Sequence, residues 1–353
     1  MVNTINIPRY PPEFQQIITA KNYNFVGREF VFAAINNFLH QYDRGYFTII
    51  GEPGIGKSAI IAHYVSQNPG IVYYNVEIAD PPQPPLQRGE YEEFLTKICT
   101  QLIEIAQNQG SKNITAHLID YTTENSGFLS LLLQQISDQL NPEQRLIITI
   151  DGCDRIDINN QQRGSNLFYL PRYLPEKVYF ILTRRPFLPE KSGLLIETPS
   201  QSLDLSNYSE QNRADIQEYI KSYLSSQDIN YKLQQINQHE NNFMYVSEIL
   251  TAINNNIYPE KLQIYYQSHL DKMNLTTSNQ STLALQVLKI LVKDSLISVE
   301  TIAERLDEDE YDIKVILDKW REFLRLKSRE KEINYSLYHL HFCHWLMDKI
   351  EYG

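Results

Sequence analysis

GYFTIIGEPGIGKSAIIAHY, Gly45–Tyr64, passes from a short apolar segment through closely spaced glycines into a lysine and a serine. The spacing G-x-x-x-x-G-K-[ST] is met by Gly51, Gly56, Lys57 and Ser58. Glycines let successive backbone N–H groups converge on an anion, and a helix behind them adds the positive end of its dipole. In such a loop the lysine reaches the β- and γ-phosphates and the serine hydroxyl ligates Mg²⁺. The competing reading is an ordinary turn. Its context speaks for the cradle: Phe47, Ile49 and Ile50 read as a buried strand, and Ala59 to Val65 continue as a helix.

Working outward, the 353 residues suffice for two or three domains with separate cores. A formal net charge of −11 argues against a global nucleic-acid or membrane-surface footprint. Cys99, Cys153 and Cys343 are too dispersed to suggest a disulfide framework or a zinc site. No apolar run is long enough to span a bilayer, and MVNTINIPRYPPEF lacks signal-peptide character. The expectation is a soluble, cytoplasmic chain.

From Phe25 to about Ser200, strand-like and helix-like segments alternate, the pattern of a parallel sheet with crossover helices. IVYYNVEI, RLIITID and VYFILTRR read as strands. Glu92–Ala106 places Phe94, Leu95, Ile98, Leu102 and Ile105 on one helical face, and Phe128–Leu140 reads as a second helix. From Ser206 helices take over to about Lys272. Ser281–Gly353 reads as three short helices with a β-wing at Ser328–Tyr338.

RLIITIDGCD supplies a second chemical element. An apolar strand ending in Asp151 sets a carboxylate at the carboxyl edge of the sheet, where open α/β folds bind ligands. Beside a phosphate loop it would hold Mg²⁺, and Asp154 would orient or deprotonate an attacking water. An Asp-Gly turn that merely ends a strand is the alternative. In ILTRRP, Ile181–Pro186, Arg185 is placed either to meet a γ-phosphate or to sit solvated at a strand end.

FVGRE (Phe25–Glu29), GEPGIGKS, ITIDGCD and ILTRRP succeed one another in an order that resembles the STAND class of signal-transduction NTPases, with NACHT and NB-ARC domains nearest in pattern. NNFMYVSEIL, YPEKLQIYYQSHLDKM and YSLYHLHFCHWL resemble the helical and winged-helix segments of the C-terminal part in that class. The resemblance implies an AAA+-like parallel α/β P-loop domain at 25–203 after an N-terminal arm (1–24), then a helical domain at 204–277 and a winged helix at 278–353. It implies that Val26, Gly27 and Arg28 meet the adenine and ribose. Gly51, Glu52, Pro53, Gly54, Ile55, Gly56, Lys57, Ser58 and Ala59 would hold the phosphates, and Ser58 with Asp151 the Mg²⁺. Lys57, Asp151, Asp154 and Arg185 form the catalytic set, and His339 approaches the β-phosphate of ADP. Two positions depart from the pattern: Arg155 stands where many relatives carry an acid, which implies slow hydrolysis, and Phe243 replaces a proline beside adenine. His341 is a second candidate histidine or a core residue.

The function implied by the resemblance is an ATP/ADP switch, closed with ADP and opened with ATP, with a protein partner or self-association in the ATP state and no membrane or nucleic-acid role. The rival reading is an AAA+ ATPase with a DNA-binding winged helix, a replication initiator or transcription regulator. Its recognition helix would be Glu310–Leu324, which mixes Glu310, Asp312, Asp318 and Glu322 with Lys314, Lys319 and Arg321 behind the acidic run Asp307–Glu310. A small-molecule kinase fits less well, because no second substrate site is readable before the helical part. The short segment before FVGRE and the end at the winged helix suggest a switch core or a minimal relative acting through a partner.

Overall fold

The computed structural model describes residues 10–52, 54–76, 89–108, 126–153, 166–186, 193–223, 280–294, 296–320, 323–329, 332–337 and 340–352, together with a few positions between 242 and 273. Its contacts divide into two compact units. One draws on residues 1–51, 56–185 and 192–222, the other on 52–55, 186–191 and 223–353.

The first unit is built on five parallel strands: β1 (Gly45–Ile50), β2 (Val72–Asn75), β3 (Leu146–Asp151), β4 (Val178–Arg184) and β5 (Ser200–Asp204). Their order is β2-β3-β4-β1-β5. The first four strands are buried along almost their whole length, which is why they read as continuous apolar runs rather than alternating ones. SQSLD of β5 has no such signal, because this edge strand is half exposed and held by its ladder to β1 from Tyr46↔Ser200 to Ile50↔Asp204. Periodicity could not find it.

Helices α1 (Pro12–Asn22), α2 (Glu29–Gln41), α3 (Lys57–Gln67), α4 (Gly89–Asn108), α5 (Ser126–Ser137) and α6 (Ser209–Tyr223) complete this unit. Within the segment expected as an arm, α1 starts on Pro12 and buries Phe14 and Ile18, one turn apart. Phe14 meets Tyr73 and Tyr74 of β2 edge-on at 5.5 and 5.6 Å. The apolar face of α4 is fully buried at Phe94, Leu95, Ile98, Leu102 and Ile105. On the β2 edge, the Gln101 amide stands in for another strand. Its Oε1 accepts from Tyr73 N at 3.1 Å and its Nε2 donates to Tyr73 O at 2.9 Å, so this backbone position is satisfied without pairing.

In the second unit, α7 (Gln280–Lys293) precedes β6 (Ile297–Ser298), α8 (Val299–Leu306), α9 (Glu310–Lys319), β7 (Leu324–Arg329), β8 (Glu332–Leu337) and α10 (Leu340–Tyr352). The strands form an antiparallel sheet in the order β6-β8-β7. Ser298 caps α8 by accepting from Thr301 N, and Asp309 caps α9 by accepting from Tyr311 N. Val287, Leu291, Ile302, Ile313, Leu317, Trp320 and Phe342 make the core. The helix expected to run to Leu324 stops at Lys319. Trp320 turns inward, donates Nε1–H to Met273 O at 3.0 Å, and frees the alternating LRLKSR to start the hairpin earlier than Ser328. Among the described residues no helix is long and apolar enough to cross a membrane.

Candidate nucleotide site

β4 lies between β1 and β3, so the ends of three neighbouring strands carry the residues that the motifs single out. After β1, Gly51 N donates to Arg184 O at 3.2 Å, which fixes the base of the glycine-rich loop against the end of β4. Ile55 N closes a turn onto Glu52 O at 3.3 Å. Gly54 and Gly56 have φ of 78° and 100°, the left-handed region that L side chains enter only at a cost. Gly56 is the N-cap of α3, and no side chain caps that helix; its first turn holds no acidic residue. The first-turn N–H groups of a helix, here those of Lys57, Ser58 and Ala59, lack acceptors within the helix itself, which is the arrangement an anion site requires. Lys57 Nζ donates to Gly51 O at 2.7 Å.

Asp151 closes β3 and is 2% exposed. Its Oδ1 accepts from Thr183 Oγ1 at 2.5 Å and its Oδ2 from Asn75 Nδ2 at 3.0 Å. Thr183 Oγ1 itself accepts from Gly152 N at 2.8 Å, so its proton is directed to the carboxylate. Arg185 directly follows β4 and is buried rather than solvated. A polyphosphate needs converging N–H donors and a cation; a divalent metal needs hydroxyl and carboxylate oxygens. The loop, Lys57, Ser58 and Asp151 are of the types required.

Val26, Gly27 and Arg28 lead into α2, with Arg28 as its N-cap. Gly27 and Arg28 both have positive φ, 67° and 70°. Arg28 is 2% exposed, and its guanidinium hydrogen-bonds Asn212 and lies 3.5 Å from Asp215, both on α6. Arg28 N also donates to Asp215 Oδ2 at 3.2 Å. Burial pushes the guanidinium down to about 10 against the pull of Asp215, and burial raises Asp215 against the pull of Arg28. For both partners, desolvation outweighs attraction, as expected of a buried pair. The Arg28 side chain is thus engaged with α6.

In the second unit, the loop residues 52–55 have partners of their own. Met244 N donates to Gly54 O at 3.1 Å, a Cβ at Gly54 would collide with the Asn242 amide, and Glu52 Oε2 pairs with Arg325 Nε at 2.7 Å. Phe243, at the position expected beside adenine, is half-buried. Pro53, Asp154, Arg155 and His339 lie outside the described residues, as does the side chain of His341.

Two residues of this site carry no motif in the sequence. Thr183 sits inside ILTRRP, where arginine draws the attention, and Asn75 ends IVYYN without a pattern of its own. The pairing Asn75↔Asp151 requires the strand order. A polar residue closing an otherwise apolar strand was the available signal.

Residues 24–181 match the family model of the AAA ATPase domain. No curated protein matches the chain in sequence. Among solved structures, the Walker-type ATPase of Pyrococcus abyssi is similar at 11% identity and a TM-score of 0.58, covering 92% of this chain and 96% of its own. Drosophila ORC bound to DNA aligns at 14% identity, TM-score 0.35, covering 96% of this chain and 99% of that one. Thermotoga maritima RuvB aligns at 11% identity, TM-score 0.35, covering 93% and 98%. The strand order, the glycine loop and the likeness to the Pyrococcus abyssi ATPase converge: the α/β unit has the P-loop NTPase fold, and its residues 24–181 are similar to the AAA ATPase domain.

Proposed function

We propose that this chain is an ATP/ADP-dependent molecular switch of the STAND type, a slow ATPase whose nucleotide state sets the conformation of its C-terminal part. The observation that carries nucleotide binding is the uncapped N-terminus of α3 behind two glycines at positive φ, on the same sheet edge as Asp151. The backbone of Gly54–Ala59 would bind the phosphates and Lys57 would exchange Gly51 O for a phosphate oxygen. Ser58 and Asp151 would hold Mg²⁺, which when bound disperses the negative charge of the phosphates. Arg185 would support charge that grows at the γ-phosphate, and Asp154 would orient water.

The switch is supported by the partners of the loop tip. A ligand that reshapes Glu52–Ile55 acts directly on Asn242, Met244 and Arg325, which are bonded to those residues or packed on them. Only a difference in affinity of ATP and ADP for two states, a few kcal/mol, is then required. We assign the last unit, with its three-stranded sheet and the helices around it, as a winged helix, and His339 as its contact to ADP. The DNA-binding alternative gains nothing from α9, whose cap and first turn are Asp309, Glu310 and Asp312.

Calorimetric titration of the Lys57→Ala chain tests the first step, with loss of ADP and ATP binding expected. Unchanged affinity would overturn the nucleotide reading. Solution scattering of the wild type tests the second: ATP should give a larger radius of gyration, or a larger assembly, than ADP. Identical profiles combined with turnover within the roughly 1–10³ s⁻¹ typical of enzymes would replace the switch by an ordinary ATPase.

A further inference from the structure

We infer that Asn75 is a positioning residue for the metal-facing carboxylate of Asp151, an inference that rests on the Mg²⁺ role proposed for that aspartate. Asn75 is the last residue of β2, 2% exposed, and pairs in register with Asp151 on β3. Its Nδ2 donates to Asp151 Oδ2 at 3.0 Å and to Tyr73 OH at 3.1 Å. A carboxylate only accepts, so the amide must face it with nitrogen. With Thr183 Oγ1 on Oδ1 at 2.5 Å, each carboxylate oxygen is gripped from a different neighbouring strand. Rotation about the carboxyl bond would break both bonds at once.

The grip continues outward. Tyr73 is itself fixed, its backbone by the Gln101 amide and its ring by edge contacts with Phe14 and with Tyr10 at 6.4 Å. A metal ligand depends on such outer partners for its angle, and their removal characteristically costs about 10–100-fold in metal affinity. A carboxylate oxygen has two lone pairs, so a bond from Asn75 is compatible with a further bond to a metal-bound water.

The test is Mg²⁺ titration into the ADP-loaded full chain, in parallel with ADP affinity in EDTA, for wild type, Asn75→Ala, Asn75→Leu and Asp151→Asn. Asn75→Leu removes the donor while keeping the branched four-atom skeleton of the side chain, so it reads out the same contact should the alanine variant fail to fold. The expected result is Mg²⁺ affinity reduced about tenfold or more in both Asn75 variants, with ADP affinity in EDTA unchanged. A purely packing role would lower both affinities or neither. Wild-type Mg²⁺ affinity in an Asn75 variant, with loss in Asp151→Asn, would overturn the positioning role alone. Wild-type Mg²⁺ affinity in Asp151→Asn as well would overturn the metal reading together with it.

Discussion

The first turns of α2 and α3 use the same backbone device for opposite ends. Each helix is capped by a residue in the left-handed region, Arg28 at φ 70° and Gly56 at φ 100°, and neither cap offers a side-chain bond. Both therefore present N–H groups to an anion. At α2 the anion is internal: Asp215 Oδ2 receives Arg28 N, and the Arg28 side chain lies on the same carboxylate. At α3 no side chain among the described residues takes that place, and we propose that a nucleotide phosphate does. The difference lies in whether the fold fills the site itself, and the glycine count alone does not reveal it.

Emptying the filled site should have the largest effect. Asp215→Ala would leave the Arg28 guanidinium buried without its counter-charge, a loss of about 3–5 kcal/mol. Lys57→Ala, at a half-buried position, should change the stability of the ligand-free chain by no more than about 0.5 kcal/mol. Urea denaturation of both variants measures this contrast. An Asp215 variant as stable as the Lys57 variant would mean that α2 does not need its internal anion, and the comparison would fail.

The two glycines give the next step. A Cβ at Gly27 would run into the Asp215 carboxylate, and one at Gly54 into the Asn242 amide. Both have positive φ, so alanine at either costs about 1–2 kcal/mol from backbone strain before any collision is relieved. Gly54→Ala should also weaken ADP binding in calorimetry, whereas Gly27→Ala should act on stability through Asp215. Gly127, in the first turn of α5, has open space where a Cβ would go, and alanine there should stabilise by about 0.5–1 kcal/mol. Equal ADP affinities for the Gly54 variant and wild type would remove the loop tip from the site.

How much of this could be read in advance depends on the range of the interaction. Gly56, Lys57 and Ser58 are neighbours in the chain and act through local backbone geometry, so their pattern was visible. The apolar strands β1 to β4 were visible because burial on both faces leaves a continuous run. The partners of Arg28 were not legible, since Asn212 and Asp215 are over 180 residues away and inside an otherwise polar helix. Asn75 was silent for the same reason, its role arising from register with Asp151. β5, with a polar sequence, exists only because β1 offers it an edge.

The smallest effect concerns what ties α3 to the segment that leads into α2. His63, on α3, stacks on Phe25 at 4.1 Å and 13°, and its Nδ1 lies 2.8 Å from Asn22 Oδ1. An amide oxygen is an acceptor, so Nδ1 carries the proton of the neutral ring. Burial lowers the His63 pKa below its ordinary value, with the Glu29 charge opposing. The folded chain then binds this proton less readily than the unfolded chain, and stability falls as pH drops through the ordinary histidine range towards the lower folded value. The ring is only half-buried, so solvent screening keeps the contribution to no more than about 0.5 kcal/mol. His63→Phe preserves the stack and removes the titration. Denaturation midpoints of the two chains at about pH 7.5 and pH 5.5 should diverge, the wild type losing more on acidification. Parallel pH dependence would show that the link between the two helix starts is apolar stacking alone. The protonated ring would then be as welcome against Phe25 as the neutral one, consistent with cation–π compensation.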